Sequence, residues 1–225
     1  MTDASTRHAP KMRAAILISG RGSNMKSLVE AARAPDYPVE FVTIISNRPD
    51  AAGLAWARDQ GLPALGLDHK LYQDRAHFES QLDGVLRAAK VELVCLAGFM
   101  RLMTPAFVER WRNRMLNIHP SLLPAFKGLD THARALAIGA RFAGCTVHAV
   151  RPEMDEGPIL GQAVVPVAPD DTEDTLAARV LAAEHRLYPE VVARYARGDI
   201  RIEGERAIVS ETVDTGWSHL APGCG

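Results

Sequence analysis

Cysteine is scarce in this chain and has no motif: the three residues, Cys95, Cys145 and Cys224, show no C-x-x-C spacing, and two of them lie in apolar runs. That excludes a disulfide framework and a zinc–thiolate site, and it fits a reducing cytoplasm. Long hydrophobic runs are also missing. With no stretch of about 18 apolar residues and a polar start, MTDASTRHAPK, neither a membrane span nor a signal peptide is expected, and the reading is a soluble cytoplasmic protein. Charge of one sign is not in excess. Lys plus Arg number 26 and Asp plus Glu 27, for a formal net charge of -1 and a pI near 6.7, which argues against a nucleic-acid or anionic-membrane partner.

What is present is ordinary globular composition, 47% hydrophobic and 24% charged over 225 residues, enough for one large core. From Met12 the pattern is strand, turn, helix, repeated. MRAAILI (12–18) precedes the loop SGRGSN (19–24) and a helix from Met25; VEFVTIIS (39–46) precedes AAGLAWARDQG; LPALGL (62–67) is a short strand. DRAHFESQLDGVLRAAK (74–90) is an amphipathic helix before VELVCLAGF (91–99), a strand apolar on both faces. A helix TPAFVERW, a strand RMLNIH, a helix HARALAIGA and strands CTVHAV and ILGQAVVPV follow, then a long helix over 171–196. Strands separated by helices imply crossover connections. The expected fold is therefore α/β, a three-layer Rossmann-like open sheet, mostly parallel. One catalytic domain is expected over 12–205, between a tail at 1–11 and another at 206–225.

Several signatures are incomplete. After the first strand, Gly20 and Gly22 allow a tight turn before a helix N-terminus, an arrangement suited to a phosphate, and equally to a plain structural turn. The third glycine of G-x-G-x-x-G is replaced by Met25, and the second strand ends in Ser46-Asn47 without a ribose-binding acid. There is no P-loop lysine, and Ser121 lacks the G-x-S-x-G of a nucleophile elbow. His119, His132, His148 and Asp155 lack ligand spacing such as H-x-H or H-E-x-x-H, so no metal is expected, and His148 reads as a packed or surface histidine.

The informative stretch is NIHPSLLPAFKG (117–128). Strand alternation puts Asn117 and His119 on one face and Ile118 on the other, and Pro120 ends the pairing, so the polar pair sits at a strand's C-terminal end. Ligands bind along that edge of open α/β sheets. An amide and an imidazole presented together can donate hydrogen bonds to an oxygen that becomes anionic in acyl transfer; they can also simply cap the strand. Asp155 in RPEMDEGPIL would face His119 if the two strands are neighbours and favour its charged form; otherwise it belongs to a solvated acidic loop, the reading preferred for Glu153 and Glu156.

ISGRGSN, AGFMRLMTPAFVERW, NIHPSLLPAFKGLDTH and MDEGPIL, in this order over roughly residues 12 to 200, resemble the formyltransferase superfamily, and within it the branch that formylates glycinamide ribonucleotide in purine synthesis. The resemblance implies Asn117, His119 and Asp155 as the catalytic trio. It implies Gly22, Ser23 and Asn24 at the ribonucleotide phosphate and Glu184 at the ribose hydroxyls, although Glu184 alone reads equally as a solvated helix residue. Arg75, Met100, Arg101, Leu102, Met103 and Asn117 would serve the folate. The implied co-substrate is 10-formyltetrahydrofolate, with no metal; the partners are small molecules rather than nucleic acid or membrane, and a homodimer is left open. Ala125, Phe126, Lys127 and Glu156 are assigned no role. The competing readings are methionyl-tRNA formyltransferase, expected to carry a basic SLLPRWRG-like loop and a C-terminal tRNA-binding domain; formyltetrahydrofolate deformylase, expected to carry an N-terminal regulatory domain; and a non-catalytic nucleotide sensor.

Overall fold

The structure, a computed structural model, describes residues 10–210. Most of the two expected tails, 1–9 and 211–225, lies outside the described residues. The elements are β1 Met12–Ile18, α1 Ser23–Ala31, β2 Val39–Ser46, α2 Ala52–Asp59, β3 Ala64–Gly66, α3 Arg75–Ala88, β4 Leu93–Leu96, α4 Pro105–Arg110, β5 Met115–His119, α5 Thr131–Ala137, β6 Phe142–Ala149, β7 Ile159–Pro166 and α6 Glu173–Arg197. A hairpin, β8 Ile200–Glu203 with β9 Arg206–Val209, crosses the expected boundary at 205. The turn chemistry marks several ends. Thr104 caps α4 ahead of Pro105, Thr172 and Thr175 form a capping box on α6, and α6 stops at Gly198 with φ 83°.

The seven strands lie in the order β3-β2-β1-β4-β5-β6-β7. Apolar residues point from both faces. Ile16, Leu28, Leu54, Val180 and Leu187 fill one side, toward α1, α2 and α6, while Leu17, Phe78, Leu82, Phe107 and Trp111 fill the other, toward α3 and α4. Tyr188 is buried in α6, and its hydroxyl lies 3.1 and 3.0 Å from the carbonyls of Leu96 and Leu116, joining the helix to β4 and β5. Strand order reverses between β1 and β4, where an open α/β sheet leaves a crevice at its carboxyl edge. The Ser19 N–H donates to the Gly98 carbonyl at 3.1 Å across that crevice.

The sheet is mostly parallel, as expected, with two exceptions at one edge: β6 pairs antiparallel with β5 although α5 lies between them, and β7 pairs antiparallel with β6 across a loop. The connection after β5 returns to the edge it left. Thr146 of β6 donates to the Ser121 carbonyl at 2.7 Å and accepts from Leu123 N–H at 3.0 Å, and Gln162 of β7 donates to the Leu123 carbonyl at 2.9 Å, so the loop enters β6 beside His119. The loop expected over 19–24 is also shorter, because Ser23 and Asn24 form the first turn of α1 after Gly22, which is left-handed at φ 68°. Among the described residues no helix is long and apolar enough to cross a membrane.

Candidate active site

Asn117 and His119 stand on the last turn of the pleat in β5, on one face as alternation requires. His119 is buried, and its two ring nitrogens meet different partners. Nε2 lies 3.0 Å from the Phe126 carbonyl, so that nitrogen carries a proton and donates. Nδ1 is 3.5 Å from Asp155 Oδ2, too long for a strong hydrogen bond and close enough for a charge pair with an imidazolium. The strand neighbour condition set for Asp155 is met.

Asp155 comes from the far end of β6. That strand finishes opposite Leu116, and the loop 150–158 folds back over the sheet to bring the carboxylate to His119. Asp155 Oδ2 accepts the Gly128 N–H at 2.7 Å, so the loop after β5 and the loop after β6 meet at the carboxylate. Lys127 and Glu156, given no role above, form an ion pair across the same seam. Asp155 and Phe126 both have φ 54°, a left-handed backbone that disfavours non-glycine residues by about 1–3 kcal/mol and tends to collect at functional sites. The root of the Asp155 loop is fixed by Gly157. Its φ is 116°, and a Cβ there would sit 2.1 Å from the Ala149 carbonyl oxygen.

The formyl transferase family model matches residues 12–192. The chain belongs to the formyl transferase family. It is 39% identical to phosphoribosylglycinamide formyltransferase of Escherichia coli strain K12, over 87% of this chain and 92% of that protein. It is 45% identical to the bovine trifunctional purine biosynthetic protein adenosine-3 over 85% of this chain, and spans only 19% of that much longer relative. Glycinamide ribonucleotide transformylase 1 from Symbiobacterium toebii superposes with a TM-score of 0.85 at 46% identity, over 88% of this chain and 94% of that one.

Two recesses of this formyl transferase flank the trio. One, of about 470 Å³, is lined by Gly22, Ser23, Asn24, Arg48, His69 and Arg101, and is large enough for a nucleotide-sized ligand. Arg48 and His69 escaped sequence reasoning because NRPD after β2 reads only as a turn and the segment after β3 carries no motif; the signal available was their place just past the carboxyl ends of those two strands. His69 Nδ1 lies 2.8 Å from the Asn47 carbonyl, which assigns the proton to Nδ1 and leaves Nε2 as an acceptor when the ring is neutral. Glu184 is not a solvated helix residue. It is 6% exposed and accepts from Asn24 Nδ2 at 2.6 Å, tying α6 to α1. Burial raises its carboxyl above the ordinary range, opposed by the Asn24 hydrogen bond.

The second recess, about 100 Å³, is lined by Arg101, Leu102, Met103, Asn117, His148 and Asp155, among others. Met100 lines the larger recess instead, and Arg75, at the exposed start of α3, lines neither. The segment 100–104 is held by α3: buried Glu79 accepts from Thr104 N–H at 2.7 Å and from its hydroxyl, and the Arg101 guanidinium lies 5.1 Å over the Phe78 ring. The buried Nε of Arg101 and Oδ1 of Asn24 have no hydrogen-bond partner among the described residues. Ser121, set aside as a nucleophile, donates to the Ala125 carbonyl at 2.6 Å. His148 is packed, as expected, but 3.1 Å from Asn117. Among the described residues, no three of His, Cys, Asp and Glu are grouped as a metal site.

Proposed function

We propose that this chain moves the formyl group of 10-formyltetrahydrofolate to the amine of glycinamide ribonucleotide. The observation that carries the reading is the convergence of Asn117, His119 and Asp155 at the end of β5, between a glycine turn leading into a helix and an apolar recess. The helix N-terminus at Gly22, Ser23 and Asn24 offers backbone N–H groups to the phosphate of the acceptor, with Arg48 and Arg101 lining that recess; Glu184, assigned to the ribose, does not line the recess and lies behind Asn24, which does. Leu102 and Met103 give the folate ring an apolar wall, and Arg101 bridges the two recesses. At about 100 Å³ the recess on this side is small beside the roughly 300–1,000 Å³ typical of ligand pockets.

The neutral amine attacks the formyl carbon. The carbonyl oxygen becomes anionic and is stabilised by Asn117 and by the imidazolium of His119, whose Nε2–H is committed to the Phe126 carbonyl, leaving Nδ1–H for the substrate. Asp155 complements that charge and, through water, helps carry the amine proton to the folate nitrogen that leaves. The chemistry then rests on orientation of two substrates and on donors already in place. No covalent enzyme intermediate enters.

The test is a formyl-transfer assay offering glycinamide ribonucleotide, methionyl-tRNA and water as acceptors. Release of tetrahydrofolate should depend on the ribonucleotide; release with water or tRNA alone would overturn the proposal. Glu184→Gln separates binding from stability. Because the folded-state carboxyl titrates above its unfolded value, its ionisation costs the folded state, and stability falls as pH rises through about 4 and upward. The glutamine variant should therefore melt higher than the wild type at pH 7, lose that gain near pH 4, and show a raised KM for the ribonucleotide with kcat changed less. An unchanged KM would remove Glu184 from the acceptor site.

A further inference from the structure

His148 stands directly opposite Asn117 across the β5–β6 ladder, so the two side chains share a face. It is 2% exposed, and both ring nitrogens are engaged. Nδ1 lies 3.2 Å from the carbonyl oxygens of Ala149 and Glu156, which can only accept; Nδ1 therefore carries the proton. In the neutral ring Nε2 is then a lone pair that can only accept, and it lies 3.1 Å from the Asn117 carboxamide nitrogen. Whichever way an amide is drawn, this neighbour requires its NH₂ end. We propose that His148 is a positioning residue for catalysis: its fixed tautomer sets which end of the Asn117 carboxamide takes each place, spends one amide hydrogen on the ring, and leaves the second for the oxyanion.

The inference rests on the formyl-transfer reading above and gives it a polarity. Asn117 is a symmetric-looking group with an acceptor at one end and a donor at the other; only the donor stabilises an oxyanion, and nothing in β5 itself distinguishes the two orientations. The ladder partner does. A protonated His148 would turn an N–H toward Asn117, and the amide would have to exchange its ends, moving the NH₂ away from its place. Burial works against that state by lowering the tendency of His148 to protonate, with its carbonyl contacts and Asp155 opposing and the charge of His119 adding to it. Those two are the titratable groups that bear on it, one on the loop 150–158 and one on β5.

His148→Phe keeps a ring and removes the acceptor. It should lower kcat by about 10- to 100-fold, the range found when the hydrogen-bond partner that orients a metal ligand is removed, with both KM values within about twofold. His148→Gln, whose side-chain carbonyl can accept from Asn117, should recover most of the loss. In an Asn117→Ala background His148→Phe should cost almost nothing, because there is no amide left to orient. Wild-type kcat in His148→Phe, or losses that multiply in the double variant, would overturn the proposal. If the phenylalanine variant does not fold, ¹⁵N chemical shifts of the native protein decide: an Nδ1–H, Nε2-unprotonated ring supports the assignment, and an Nε2–H ring overturns it. The tautomer is read without any substrate, so absent transfer to the ribonucleotide would count against the function and not against this orientation.

Discussion

Asn117→Ala lowers kcat for formyl transfer by about 10²–10³-fold, the loss of roughly 2.7–4 kcal/mol that accompanies removal of one preorganised oxyanion donor. The effect is expected in kcat and kcat/KM alike, because the amide meets its charged partner only as the formyl oxygen becomes anionic. Ground-state binding has little to lose: Asn117 is one residue among many in the wall of a recess that Leu96, Phe99, Leu102 and Met103 also line. Steady-state kinetics over both substrates check it. A variant with unchanged kcat and raised folate KM would make Asn117 a binding residue only.

His119→Ala should cost at least as much, about 10³-fold, since it removes an oxyanion donor together with the positive charge that Asp155 complements. It also removes the partner of the Phe126 carbonyl and of Asp155, so the seam between the two loops is expected to loosen. A calorimetric scan alongside the kinetics separates the two consequences: a small fall in melting temperature with a large fall in kcat fits the chemical role. Because Asn117 and His119 act on one oxygen, the double alanine variant should be far less impaired than the product of the single losses. Near-normal transfer by His119→Ala would refute the mechanism outright.

Much of this site could be read in the sequence because it sits on regular structure. Two-residue alternation in MLNIH placed Asn117 and His119 together, and Pro120 placed them at an edge, by local rules that need no neighbour. Gly22, with its left-handed backbone, was legible as a turn for the same reason. Asp155 needed its resemblance to known relatives, since its approach to His119 depends on a loop folding back from the wrong end of β6. That the sheet is mostly parallel was legible; that β6 turns back against β5 across α5 was not. Helix-separated strands usually cross over, and what decides otherwise is a set of contacts from Thr146 and Gln162 to a loop more than 20 residues earlier for Thr146 and almost 40 for Gln162. His148 was read as packed or surface, and it is packed; its contact with Asn117 was not legible, because it comes from the residue across the ladder.

Gly157 has a consequence for anyone who wishes to retune this protein. With the Ala149 oxygen 2.1 Å from where its Cβ would lie, the root of the Asp155 loop admits no other side chain, whereas Glu153 and Met154 are exposed and line the smaller recess. Variation aimed at new formyl donors therefore belongs at 153 and 154, where the surface can be rewritten freely, and a library that includes position 157 would spend its members on chains that misplace the carboxylate.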